Sequence, residues 1–359
     1  MSPHPDADST PVPRRPSLAG DYRRFTRRRR LLLIGLAVAA LVALVLDILT
    51  GPSTFPLSRL LLGLFQPDQL ERGEAVILWD IRLPYALMAV LVGAALGLAG
   101  AEMQTALNNP LASPFTLGVS SAATFGAALA IVLGLDLFGL GETYAITLLA
   151  FLSAGGATLL ILALARLHGA GVETVVLFGI ALLFSFEALV WLLQFLADSD
   201  ALQQIVFWTM GSLARAAWET VAILAVILAV TMVFALRNVW SMSALRSGED
   251  QARSLGVPVE RLRLAVVLRV SLLAGTAISF VGTIGFVGLV GPHIARLLLG
   301  EDHRFYLPGS ALAGALMLSL ASMLSKTLVP GVVLPIGIVT ALVGVPLFMM
   351  LVLGKRRPR

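Results

Sequence analysis

The stretch LLLIGLAVAALVALVLDIL, residues 31–49, decides the class of this protein. A helix of about 20 apolar residues crosses the hydrocarbon of a bilayer, and this run has that length directly after the cluster Arg27 to Arg30. No small-residue cleavage site accompanies it, so it reads as a first membrane span and not as a removable leader. Apolar runs of similar length recur outward along the chain at 82–107, 115–134, 143–166, 174–196, 218–236, 263–282, 285–299, 308–328 and 337–354. With the first placed at 31–50, that makes ten expected spans. A chain that is 58% hydrophobic, only 13% charged and of mean hydropathy +0.90 has this pattern throughout, which makes it an all-α polytopic membrane protein.

The flanks differ. Residues 1–30 carry Pro3, Pro5, Pro11, Pro13 and Pro16 ahead of an arginine cluster, without apolar periodicity, and are expected to be a disordered basic arm. Residues 355–359 form a short basic tail, which leaves 31–354 as the transmembrane domain. An isoelectric point near 10 could suggest nucleic acid, but the basic residues gather at membrane edges, where insertion rules and anionic lipid account for them. With the amino terminus inside, 20 of the 26 basic residues fall on inner segments, which predicts both termini in the cytoplasm and an even number of spans. Spans two to five then start outside and spans seven to ten inside, the geometry of an inverted repeat. The absence of cysteine excludes disulfides and thiolate metal sites.

Within the spans, Gly93, Gly97 and Gly100 are spaced for close helix packing. Gly282, Gly285, Gly288 and Gly291 lead into Pro292, a series that predicts a tight turn near Thr283 followed by a short, bent span. Asn108, Asn109, Pro110 and Pro114 predict a rigid turn between spans two and three.

The largest polar interruption runs from Arg237 to Arg263 and contains SGEDQARSLGV at 247–257. Ser247 can cap a short helix with Asp250 completing a capping box, Glu249 and Asp250 suit its positive end, Arg253 its negative end, and Gly256 can stop it in a left-handed conformation. Ala252 and Leu255 then share a face. Such a segment is either an ordinary connector or a helix offered to a soluble partner. Among ionisable residues within spans, Glu187 lies mid-span with Trp191 and Gln194 four and seven residues on, all on one face. It either lines a polar pathway or packs as a protonated group. Glu102, near the inner end of span two, is expected to reach the interface, Gln104 or the Asn108 turn. The histidines at 4, 168, 293 and 303 are scattered and suggest no metal site. Zinc-protease, serine-hydrolase and intramembrane aspartate signatures are absent, and so is a phosphate-binding loop, so no catalytic residue is assigned and any ATP must be bound by another chain.

Several separated stretches resemble the FecCD-type permeases of bacterial ABC importers for ferric siderophores, haem and vitamin B12. They are IRLP at 81–84, LVGAALGLAG at 91–100, MQTALNNPLASP at 103–114, LGVSS at 117–121, FWTMGSL at 207–213, GEDQARSLGV at 248–257, IGFVGLVGPHIAR at 284–296, DHR at 302–304 and LPIGIVTA at 334–341. They keep one order from about residue 31 to 354. The resemblance implies a type II ABC importer permease of the bacterial inner membrane. It would pair with a second permease, take cargo from a periplasmic or lipid-anchored binding protein, and be driven by two cytoplasmic ATPases that hold ATP and Mg, with no cofactor on this chain. Residues about 241–260 match the coupling helices, with Gly248, Glu249, Asp250, Ala252, Arg253, Leu255 and Gly256 at the ATPase contact. Arg82 and Lys326 match outer positions that pair with acidic residues of the binding protein. Tyr85 and Val333 depart from the charged residues many relatives carry there. Asn109, Pro110 and Leu111 match an inner gate turn, and the loop Gly171 to Thr174, with Glu173, occupies the place of a second gate. Glu187, Trp191 and Gln194 would line the pathway. The rival readings are an ion-coupled secondary transporter, for which Glu187 alone supplies a midplane ligand, and an intramembrane enzyme, for which no catalytic set exists.

Overall fold

The structure is a computed structural model and describes residues 18–53, 55–136, 139, 141–168 and 171–353. The chain is built from helices α1 (Leu18–Leu49), α2 (Leu57–Phe65), α3 (Arg72–Val76), α4 (Leu83–Ala106), α5 (Val119–Val132), α6 (Glu142–His168), α7 (Val172–Leu196) and α8 (Ser199–Thr209). They continue as α9 (Trp218–Arg237), α10 (Val239–Arg246), α11 (Glu249–Ser254), α12 (Val259–Val281), α13 (Val287–Leu299), α14 (His303–Thr327) and α15 (Ile336–Leu353). Every expected span falls on a helix. Among the described residues seven helical stretches are long and apolar enough to cross a membrane, while α5, α13 and α15 are shorter apolar helices. The amphipathic α2 and the short α8 lie between spans and were not expected.

The amino-terminal boundary differs from expectation. The helix begins at Leu18, so residues 18–30 of the expected disordered arm continue α1 as one rod of 32 residues. Arginine is a good helix former, and tertiary bonds hold the extension: Arg29 pairs with Asp302 at 3.7 Å, and Arg304 donates to the Tyr22 hydroxyl at 3.2 Å. The rest of that arm, residues 1–17, and the tail 355–359 lie outside the described residues.

At the centre is α4, apolar on all sides and enclosed by α14, α12, α13 and α9. Three glycines permit this. A Cβ on Gly93 would strike the backbone of Gly314 and Ala315, one on Gly97 the carbonyl of Ser310, and one on Gly100 the carbonyl of Gly288. The backbones of α4, α13 and α14 therefore touch directly, which side chains would prevent.

The two halves share a motif in opposite directions. A long helix, α4 or α12, is followed by a break and then a short helix of 14 or 13 residues, α5 or α13. At 1.5 Å per residue each short helix extends only about 20 Å. Both short helices are entered through a left-handed residue, Gly118 at φ 71° and Phe286 at φ 66°. Phe286 has a β-carbon to accommodate in that strained region, and the absent side chain of Gly344 clears the space beside it. The carboxyl end of α4 lies beside the amino end of α12, so the two units are inverted, as expected. The turn near Thr283 and the proline-containing short helix after it also form as predicted.

Candidate functional site

Polar bonds concentrate at the two ends of the bundle. One end gathers the start of α1, the last turn of α4, the turn after it, the α10–α11 segment and the α13–α14 connection. The turn is rigid for local reasons. Asn108 adopts φ 44°, Asn109 N–H donates to the Gln104 carbonyl at 3.0 Å, and the Asn109 side-chain oxygen accepts from Leu111 N–H at 2.9 Å. Asn109, Pro110 and Leu111 are all exposed at its tip.

The α10–α11 segment departs from the sequence reading in its cap. Ser247 ends α10, its N–H bonded to the Ala244 carbonyl at 3.0 Å, so its hydroxyl comes one residue too early to cap α11. Gly248 takes the N-cap position at φ 119°, which leaves that end without a side-chain cap and without the capping box. The other end is as predicted: Gly256 is left-handed at φ 82°, and Val257 N–H reaches back to the Ala252 carbonyl at 3.0 Å. Ala252 and Leu255 are not packed together against the bundle. Ala252 is fully buried, whereas Leu255 is 53% exposed beside the exposed side chains of Asp250, Gln251 and Arg253. Leu255 is the cap residue after the last turn of α11, with ψ 4°, so it leaves the helix there and its side chain is not carried onto the packed side.

Two buried side chains tie this segment to α4. Arg263, near the start of α12, pairs with Glu249 of α11, and its Nε donates to the Ala106 carbonyl at 3.2 Å. His303 stands between Thr105 Oγ1 at 2.9 Å and Ser243 Oγ of α10 at 3.3 Å. Outside these ties, Arg246 pairs with Glu301. Asp302 caps α14 through Arg304 N–H at 3.1 Å. The hydrogen bond from the Arg304 side chain, aided by the charge of Arg29, holds the Asp302 carboxyl below the usual carboxylate range.

Glu102 is fully buried, and its partner is Arg269 of α12, not Gln104 or the Asn108 turn. Arg269 Nε lies 3.1 and 3.2 Å from its two oxygens, and Nη2 lies 2.5 Å from Oε1. A carboxylate sealed inside a bundle requires a cation, and α12 passes α4 at that level. Gln104 instead joins Arg296 and Tyr306.

Glu187, Trp191 and Gln194 share one face of α7, as their spacing predicts. That face is open in the single chain: Trp191 is exposed, Glu187 and Gln194 are half-buried, and among the described residues no hydrogen bond or ion pair forms on Glu187. Glu173 is exposed in the first turn of α7, without a bond to the Asn108 turn. The helix approaches the α4–α5 connection further along, where Gly179 lies against Thr116 and Leu117.

At the opposite end Arg82 and Lys326, the two expected docking cations, are engaged by the chain's own groups. Arg82 is 5% exposed and is consumed by the chain itself: its guanidinium donates to the carbonyls of Ile48 at 2.9 Å, Leu49 at 3.0 Å and Ser53 at 2.5 Å. The Lys326 side chain, 7% exposed, pairs with Asp47 at 2.8 Å and stacks on the Tyr85 ring at 4.3 Å, while Ser322 donates to both oxygens of Asp47. Both cations meet groups that would otherwise be stranded, free carbonyls for Arg82 and a carboxylate for Lys326, so their donors are largely engaged within the chain. Tyr85 is a packing platform for Lys326. Asp47, inside the first apolar run, was missed; its signal was a lone acid and a lone lysine near the same end of two spans.

Cavities open at this end. One of about 800 Å³ is lined by Gln203, Gln204, Trp208, Ser212, Arg215 and Val333. Another, of about 500 Å³, is lined by Ser53, Asp80, Arg82, Tyr85, Lys326 and Val333.

A model of the FecCD transport family matches residues 36–354. The hemin transport system permease HmuU of Yersinia pestis is 38% identical over 280 residues, 78% of this chain and 84% of the relative. The vitamin B12 import system permease BtuC of Shigella boydii is 38% identical over 326 residues, 90% of this chain and 95% of that one. A solved structure described as an inward-facing metal-chelate type ABC transporter superposes with a TM-score of 0.80 at 31% identity, covering 90% of this chain and 99% of its own. Together with the inverted helical units, these similarities fix the class: the chain belongs to the FecCD transport family and is a membrane-spanning permease of the ABC importer type, with the type II importer fold.

Proposed function

We propose that this permease moves a ferric siderophore, or in second place haem or cobalamin, from a periplasmic or lipid-anchored binding protein into the cytoplasm. It would work in the inner membrane as one of two permease subunits, identical or paralogous, on a pair of cytoplasmic ATPases that bind ATP and Mg. The observation that carries this reading is α11. One of its faces is locked to the bundle by Ala252 and by the Glu249–Arg263 pair, while the other offers Leu255, Arg253 and Gln251 to an outside surface. A short helix held so firmly on one side is suited to transmit a push on the other.

In this reading the Arg263 end is cytoplasmic, as are both termini. ATP binding draws the ATPases together, α10 and α11 shift, and the two inverted units rock as bodies so that the pathway faces outward; hydrolysis resets them. The turn Asn109–Leu111 and the start of α7 at Glu173 close the inner side in turn. The open face of Glu187, Trp191 and Gln194 lines the central pathway between the two permeases. The cargo chemistry follows the metal-chelate and haem permeases to which the chain is similar, and recognition resides in the binding protein.

Reconstitution with the ATPase and binding protein in liposomes tests the proposal. Expected is uptake of a radiolabelled ferric siderophore that needs ATP, persists with ionophores, and is lost in Leu255→Glu while the variant still folds. Uptake that runs without ATP along an ion gradient would establish the ion-coupled alternative. Normal ATP-driven uptake by Leu255→Glu would remove α11 from the coupling path.

A further inference from the structure

Arg263 is 1% exposed, among the largest fully buried side chains of the protein, and it carries a charge. A guanidinium out of water is retained only where its donors are met, and folding alone does not demand one, since packed apolar residues can replace such a group at little cost. Two of its partners belong to segments with separate proposed tasks. Glu249 is the first residue of α11, and Ala106, whose carbonyl accepts from Nε at 3.2 Å, is the last residue of α4. The next residues form the rigid turn Asn108–Leu111, itself bonded back to Gln104 on the same last turn of α4. A guanidinium is planar and its donors are fixed relative to one another, so a shift of one partner is passed to the other and not absorbed by side-chain bending. The neighbouring helix α10 reaches the same turn of α4 by a parallel strut, Ser243 to His303 to Thr105.

We propose that Arg263 is a positioning residue of the transport cycle, the tie rod through which displacement of α11 moves the end of α4 and the Asn109–Leu111 turn. The proposal rests on the reading of α11 as the ATPase contact and of that turn as an inner gate. Removal of the tie should separate two things that normally go together, nucleotide turnover by the partner ATPases and movement of the turn.

The chain has no cysteine, so Leu111→Cys gives a single labelling position per permease. With a nitroxide there, pulsed electron paramagnetic resonance measures the distance between the two turns of the assembled transporter, with and without nucleotide, in otherwise wild-type and Arg263→Met backgrounds. Expected in Arg263→Met is nucleotide hydrolysis with binding-protein stimulation, a distance change with nucleotide reduced to well under half of the wild-type amplitude, and uptake lower by about tenfold, the scale of a coupling energy near 1.4 kcal/mol. A full nucleotide response in Arg263→Met overturns the tie-rod role. No response in the Leu111→Cys parent itself would instead refute the gate reading on which it depends. Should Arg263→Met fail to assemble, Arg263→Lys decides the matter. It keeps a charge for Glu249 but lacks the fork that also holds the Ala106 carbonyl, so an intermediate response is expected and a wild-type amplitude overturns the proposal.

Discussion

Replacing Arg269 by methionine should damage this protein more than almost any other single substitution, and the reason can be worked from the geometry. Glu102 is sealed inside the bundle, and its two oxygens receive three contacts from one guanidinium at 3.1, 3.2 and 2.5 Å. Arg269→Met leaves a buried carboxylate with no counter-charge, a loss of about 3–5 kcal/mol. Glu102→Met likewise leaves the guanidinium without its counter-charge, at about 3–5 kcal/mol. The double variant Glu102→Met/Arg269→Met replaces both charges by unbranched apolar chains of similar length and should lie within about 2 kcal/mol of the wild type. The assay is reversible unfolding in mixed detergent micelles, run as a double-mutant cycle. Expected is an interaction energy of at least about 2 kcal/mol, with the double variant more stable than Arg269→Met alone. If Arg269→Met costs less than about 1 kcal/mol, or if the two losses simply add, the pair is not a sealed ion pair and the packing of α4 on α12 has been misread.

Gly100→Ala places a methyl on the Gly288 carbonyl and should cost about 1–3 kcal/mol, whereas Gly156→Ala in α6, where the space is open, should be neutral or stabilise by up to about 1 kcal/mol; the same unfolding measurement compares them. Arg82→Gln should lower stability in that assay while the folded fraction binds its binding protein with nearly unchanged affinity, because the guanidinium is taken up by Ile48, Leu49 and Ser53; a selective loss of affinity at unchanged stability would establish the docking role. Asp302, whose carboxyl Arg304 holds below its usual value, contributes stability that is fully present above the unfolded carboxylate pKa of about 3.9 and fades as pH falls through the lowered folded one. Stability measured from pH 6 down to pH 3 should therefore fall less steeply in Asp302→Asn than in the wild type.

The span positions were legible because each is written within its own residues. A run of apolar side chains declares a membrane helix wherever its neighbours stand, and the breaks at Asn108–Pro110 and Gly282–Pro292 are equally local. The pairing of charges was not legible. Glu102 and Arg269, like Asp47 and Lys326, are joined across distant parts of the chain, and the sequence shows only that each charge needs a partner. The same limit explains Arg82 and Lys326. Their position near one end of the bundle suggested exposed cations, but which backbone carbonyls come free beside them depends on how α1 ends against α4 and α14. Within α11, the acidic start and the glycine stop were readable from local chemistry. The failed cap was not, since whether Ser247 ends one helix or starts the next is set by the position of α10 on the bundle.

The contacts at Gly93, Gly97 and Gly100 carry a genetic consequence. An ill-fitting side chain can often be relieved by trimming the one it meets, but here nothing is left to trim: Gly288 and Gly314, opposite two of these glycines, are themselves glycines, and what is struck is peptide backbone. A selection for suppressors of Gly100→Ala should therefore return revertants, with no second-site change at position 288. These positions tolerate loss in one direction only.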